Sequence, residues 1–113
     1  MTSESPKTST GLQQNVAGLL CYVLTWLTGI IFLIIEKDNK VVKFHAWQSI
    51  FTFGAIFIVE IILIFIPFIG WILGILLYIL AFILWIYLMY SAYQGKMVKV
   101  PIAGNIAAKQ AGV

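Results

Sequence analysis

The sequence has no arginine, one cysteine, one histidine and four acidic residues, and only 10% of it is charged. Each scarcity excludes something. Its seven lysines lie just outside apolar runs, so the chain lacks the basic face with arginine and interleaved aromatics that a nucleic-acid binder presents. Lone Cys21 cannot form an intrachain disulfide and sits in an apolar run, where a free thiol is a packing group. Cys21 and His45 are too far apart and too few to make a metal set. The acids nearest His45, Glu36 and Asp38, fall in a polar loop expected to be exposed, so no hydrolase triad can be assembled. Gly95-Lys96 has no glycine framework before it and is not a phosphate loop. Neither an enzyme nor a bound cofactor is expected.

What is present is grease. The chain is 62% hydrophobic with a mean hydropathy of +1.03, whereas soluble domains are about half apolar and about a quarter charged. This is the composition of an all-α membrane protein, and 113 residues leave room for three spans with short connections. The expected organisation is a flexible, Ser/Thr-rich amino tail over 1–11, a three-span domain over 12–95, and a cytoplasmic tail over 96–113. The spans fall at about 16–35, 46–66 and 68–90. The first, Val16 to Ile35, carries no charge and makes about 30 Å of helix at ~1.5 Å per residue, too long for a cleaved signal core. Pro67 closes the second, and Phe68-Ile69-Gly70 allows only a tight reversal, so spans two and three form a hairpin. Pro101 and Gly104 point to a surface loop after the third span.

Small residues mark the packing faces. Gly18, Tyr22 and Gly29 recur on one side of the first span, and Gly70, Gly74 and Tyr78 on one side of the third, where small side chains let helix backbones approach in lipid. Trp71 at one end, with Trp85, Tyr87, Tyr90 and Tyr93 toward the other, fits aromatic belts at the membrane surfaces. Three spans would leave only Lys7 with the Pro67 turn, and would gather Lys37, Lys40, Lys43, Lys96, Lys99 and Lys109 on the opposite side. Lysine-rich segments stay cytoplasmic. The expected orientation is amino end outside and carboxyl end inside, in the cell membrane, with the lysines as a cytoplasmic collar toward lipid headgroups.

The second span carries the one polar stripe. At helical spacing His45, Ser49, Thr52 and Glu60 fall on one face with Gln48 beside them. His45 reads either as an interfacial group bonded to a carbonyl or to Gln48, or as a proton acceptor at a pore mouth or a contact for anionic lipid headgroups. Glu60 lies about 6 Å past the midpoint of its span. It reads either as a carboxyl group hydrogen-bonded to Tyr22 or Tyr78, or as a proton or cation site.

Leu20-Cys21-Tyr22, Gly29, Glu36, Lys43-Phe44-His45-Ala46-Trp47-Gln48-Ser49, Trp85, Ala92-Tyr93-Gln94-Gly95-Lys96 and Pro101-Ile102-Ala103-Gly104 together give a pattern. It resembles a family of small prokaryotic membrane proteins grouped with the Tic-twenty-like superfamily, whose plant members belong to a chloroplast protein-import machinery. The most specific part is Phe-His-Ala-x-Gln-Ser after a basic residue, here Lys43. The resemblance implies a fold and an address, with a link to protein translocation, but no reaction.

Two functions are therefore open. One is a non-enzymatic helical interaction or assembly module that packs against other membrane proteins or copies of itself, with membrane lipids as its other partner. The other is a small proton- or cation-coupled transporter or channel using Glu60. A lipid-binding or membrane-shaping role rests on the lysine collar alone.

Overall fold

The apolar run 16–35 forms two short helices, not one. The computed structural model describes residues 8–9 and 11–113; most of the expected flexible tail, Lys7 included, lies outside them. Five helices follow in order: α1 Gln14–Val23, α2 Trp26–Ile35, α3 Lys40–Ile64, α4 Ile69–Tyr93 and α5 Ala103–Ala111. Among the described residues only α3 and α4 are long and apolar enough to cross a membrane. The three-span expectation therefore stops at two candidate spans.

The chain breaks at Leu24 and Thr25, where Thr25 takes φ 56° and ψ −128°. A β-branched residue in that region is strained, and persists only where its surroundings fix it. They do so through hydrogen bonds. Thr28 Oγ1 accepts from the Leu24 amide at 3.0 Å and reaches the Cys21 carbonyl at 3.2 Å. Ser49 Oγ donates to the Thr25 carbonyl and Trp85 Nε1 to the Tyr22 carbonyl, each at 2.6 Å. An apolar environment offers no water to satisfy a broken helix, so protein groups from α2, α3 and α4 do it instead.

Because of the break, α2 returns toward the end from which α1 came. The Asn39 side chain donates to Gln14 Oε1 at 2.8 Å, and the Asn15 side chain donates to the Tyr93 carbonyl at 2.9 Å. The start of α1, the end of α2, the start of α3 and the end of α4 thus meet at one end of a body measuring 52 × 23 × 20 Å. This corrects the side assignment made from lysine counting. The amino segment lies with the Glu36–Asn39 loop and away from the Pro67 turn.

The tip of the α1–α2 hairpin reaches the level of Gly54, to which Trp26 is the nearest neighbour. That level is roughly 20 Å along α3 from Lys40 at ~1.5 Å per residue. Beyond it, among the described residues, α3 and α4 continue alone to the turn, where Phe65 is 81% exposed. The buried apolar clusters lie in the crowded half: Ala17, Cys21, Phe32, Val42 and Ala46; Tyr22, Phe53, Leu88 and Ala92; and Phe44 with Ala107, Ala108 and Ala111. Gly18 and Gly29 permit that crowding. A Cβ on Gly18 would meet the His45 ring at 2.9 Å, and one on Gly29 the Ala46 carbonyl at 3.0 Å.

The expected carboxyl-terminal loop contains α5, which packs on α3 through Phe44. Helices α4 and α5 begin with the same device, Pro67-Phe68-Ile69-Gly70 and Pro101-Ile102-Ala103-Gly104. Phe68 (φ 61°, ψ −75°) and Ile102 (φ 68°, ψ −62°) occupy the rare γ-turn geometry. The amide two residues after each proline bonds that proline's carbonyl at 2.7 Å. Glycine follows because the new helix folds back hard on the preceding turn. An added Cβ would meet Ile66 Cβ at 2.6 Å from Gly70, and Lys99 Cα at 2.6 Å from Gly104. The Gly70 and Gly74 pair is therefore engaged within the α3–α4 hairpin.

Candidate functional site: a buried polar clamp

Helix α3 has Asn39 as its N-cap, its side-chain oxygen accepting from the Val42 amide at 3.0 Å, and presents one polar face per turn from there. His45, Gln48, Ser49 and Thr52 on that face are all buried. The Tyr22 hydroxyl sits between two of them, 2.9 Å from His45 Nδ1 and 2.8 Å from Gln48 Nε2. Since Gln48 donates to Tyr22, the tyrosine proton is free to go to Nδ1, which places the imidazole proton on Nε2.

Gln48 reaches a third segment. Its amide nitrogen also donates to the Val98 carbonyl at 2.9 Å, and its oxygen accepts from the Val100 amide at 2.8 Å. One side chain thereby joins α1, α3 and the link to α5, with Gly104 close against Gln48 Oε1. Ser49, one residue on, holds the Thr25 carbonyl. Thr52 Oγ1 is buried with no hydrogen-bond partner among the described residues.

A second cluster lies at the crowded end. Glu36, expected in an exposed loop, is fully buried. Its carboxylate accepts from the amides of Ser9 (3.1 and 2.9 Å), Asp38 (3.1 Å) and Asn39 (2.9 Å). Burial raises its pKa, but these amide hydrogen bonds outweigh that and hold the carboxyl below its ordinary range. The positive end of α3 lies beside it and favours the anion.

Glu60 belongs to neither cluster. It is half-buried where α3 passes Gly74, beyond the hairpin tip, and its Oε1 lies 3.0 Å from where a Gly74 Cβ would be. Tyr22 is engaged with His45 and Gln48, and Glu60 has no hydrogen-bond partner among the described residues. Open grooves flank it. One of 470 Å³ is lined by Leu63, Trp71, Gly74 and Tyr78, and one of 200 Å³ by Trp26, Phe53, Phe57 and Tyr78. Lys37, Lys40, Lys96, Lys99 and Lys109 are exposed at the crowded end and Lys43 is half-buried there.

The structure thus brings together His45, Gln48, Ser49 and Tyr22, sets Gly18 and Gly29 against them, and leaves Glu60 apart. Sequence reasoning put Trp85 in an interfacial belt, whereas its indole holds the Tyr22 carbonyl at the break; it missed the Val98 and Val100 backbone groups and the buried state of Glu36. The repeated Pro-x-x-Gly was the available sign that the tail folds back onto α3. Among the described residues no three His, Cys, Asp or Glu side chains come together. The clamp spends its side-chain hydrogen bonds on its own members and on the chain's own backbone.

Relatives carry membrane names. A UPF0132 membrane protein of Methanocaldococcus jannaschii is 54% identical over 101 residues, 89% of this chain and 91% of the relative. One of Archaeoglobus fulgidus is 45% identical over 101 residues, covering 89% and 98% of the two chains. A second M. jannaschii UPF0132 membrane protein is 43% identical over 97 residues, covering 86% and 69%. No solved structure matches the chain. The family model described as the magnetosome magnetite crystal formation protein family matches residues 8–107, a stretch that includes the α1–α2 break, the clamp and the start of α5. This chain, a small membrane protein, belongs to that family.

Proposed function

We propose that this protein is a small non-enzymatic membrane module for assembly, working through its outer helical surface. One observation carries the reading. The buried polar side chains of α3 are turned inward to hold the chain's own breaks, while the far half of α3 and α4 presents Phe57, Ile58, Ile62, Ile72, Ile75 and Ile79 outward. In this reading α3 and α4 cross the bilayer, and α1–α2 enters and leaves on the lysine side. That side faces the cytoplasm of the cell membrane by the lysine rule. The occupants of the apolar surface are lipid and a second copy of the chain. The family's description concerns crystal formation in a magnetosome, which supports a membrane-assembly role and offers nothing toward translocation.

The test is the oligomeric state in native-like lipid particles, with Ile72→Cys introduced into a Cys21→Ala background for crosslinking. Symmetric crosslinks supporting a dimer or larger assembly are expected. Strict monomers at every protein density would sink the reading.

The two aromatic-lined grooves beside Glu60 favour a second reading, a proton- or cation-coupled transporter. It requires flux in sealed proteoliposomes that disappears in Glu60→Gln at matched insertion.

A further inference from the structure

The two halves of the molecule differ in cross-section. Near the lysine end a cut passes through α1, α2, α3 and α4; near the Phe65–Phe68 turn it passes through α3 and α4 alone. The boundary is the hairpin tip at Gly54, close to the middle of the apolar length of α3. The hairpin itself is greasy outside, with Leu24, Leu27, Ile31 and Ile34 all exposed. Its outer face therefore belongs in hydrocarbon and not in water. Beneath the tip an open groove of 490 Å³ runs between Val23, Leu24, Phe53, Tyr78, Phe82 and Trp85, space that lipid chains of the opposite leaflet would fill. Two extra helices, each about 10 Å across, add roughly 160 Å² to one leaflet only.

We propose that the protein is a one-leaflet wedge, which partitions to curved bilayer with its lysine-side leaflet convex and bends the bilayer that way when dense. The chemistry that recognises the membrane is hydrophobic volume placed asymmetrically. The exposed lysines at the broad end add attraction for anionic headgroups on the same leaflet. Clamp and wedge are connected: Ser49, Trp85 and Thr28 hold the break that stops α1–α2 at half depth. The inference rests on the insertion reading above, and needs no protein partner.

The experiment uses the full chain with Lys99→Cys in a Cys21→Ala background, reconstituted into vesicles of phosphatidylcholine and phosphatidylglycerol. A membrane-impermeant maleimide reports which way Lys99→Cys faces, in small sonicated and large extruded vesicles prepared in parallel. In small vesicles, whose outer leaflet is strongly convex, an outward excess of roughly threefold over the large vesicles is expected. An equal or reversed ratio would overturn the wedge. Gln13→Cys, labelled in the same preparations, separates the two levels. If it reports on the Lys99 side while the ratio stays equal, the wedge alone fails; if it reports on the opposite side, the insertion reading fails with it.

Discussion

The amide of Ser9 donates to both carboxylate oxygens of Glu36, at 3.1 and 2.9 Å. Two residues separated by an entire apolar run are neighbours, because the run turns back on itself at Thr25. The loop is further tied by Ser9 Oγ, which accepts from the Lys37 amide at 2.8 Å. A helix crossing once could not bring these groups together.

That carboxylate makes stability depend on acid. Burial opposes its ionisation, and the Ser9, Asn39 and Asp38 amides more than compensate, so the folded pKa lies below the ordinary value. The unfolded chain, with a glutamate near about 4.3, takes up the proton first. The stabilisation is complete above that value and is lost as pH falls through the folded pKa. Thermal unfolding in mild detergent should show a midpoint that falls progressively as the pH is taken below the ordinary glutamate range. Glu36→Gln should be less stable at neutral pH by about 2 kcal/mol and should flatten the acid slope. An unchanged slope would remove Glu36 from the account.

Gln48→Leu tests the clamp. It keeps the volume and removes three hydrogen bonds, stranding the Val100 amide and the Val98 carbonyl. A loss of about 3 kcal/mol is expected, since each stranded buried group costs on the order of 1–3 kcal/mol. Trypsin should then cut faster at Lys96 and Lys99. A variant of full stability with unchanged cleavage would show that the link to α5 is held by apolar packing alone.

Thr25 provides a test of opposite sign. Its φ of 56° suits glycine, so Thr25→Gly should unfold at an equal or higher temperature, by up to about 1 kcal/mol. Thr25→Pro should be strongly destabilised, because it demands φ near −65° and removes the amide that bonds the Tyr22 carbonyl at 2.9 Å. If glycine proves damaging, the break is not where the structure has it.

Glu60→Gln should leave the unfolding free energy within about 0.5 kcal/mol of the parent, because no group among the described residues bonds the carboxyl. Under the assembly reading it also leaves proton and cation flux at the vesicle background. Flux present in the parent and absent in the variant would give the second reading precedence.

The long helices were legible because α3 and α4 are long, mostly apolar segments bounded by charge or proline. The stripe was legible too, since helical periodicity alone puts His45, Ser49 and Thr52 on one face. What that face touches was not. Gln48 serves backbone groups some fifty residues downstream, a distance at which periodicity carries no information. The α1–α2 break had no proline or glycine to announce it; Thr25 and Thr28 were the only local signs, and the partners that fix it, Ser49 and Trp85, come from other helices. Glu60 shares the periodicity of the stripe but lies past the hairpin tip, so spacing grouped it with residues it does not meet. The amino end was set opposite the lysines because every apolar run of spanning length was presumed to cross, which the α1–α2 run does not do.

The most direct measurement is sidedness. Single cysteines at Gln13, Lys37, Phe68 and Lys99, each in a Cys21→Ala background, are labelled with an impermeant maleimide in intact cells and in inverted vesicles. Gln13→Cys, Lys37→Cys and Lys99→Cys are expected to label from one side and Phe68→Cys from the other. Gln13→Cys labelling together with Phe68→Cys, opposite Lys37→Cys, would mean that the first apolar run crosses the bilayer, and would contradict the account.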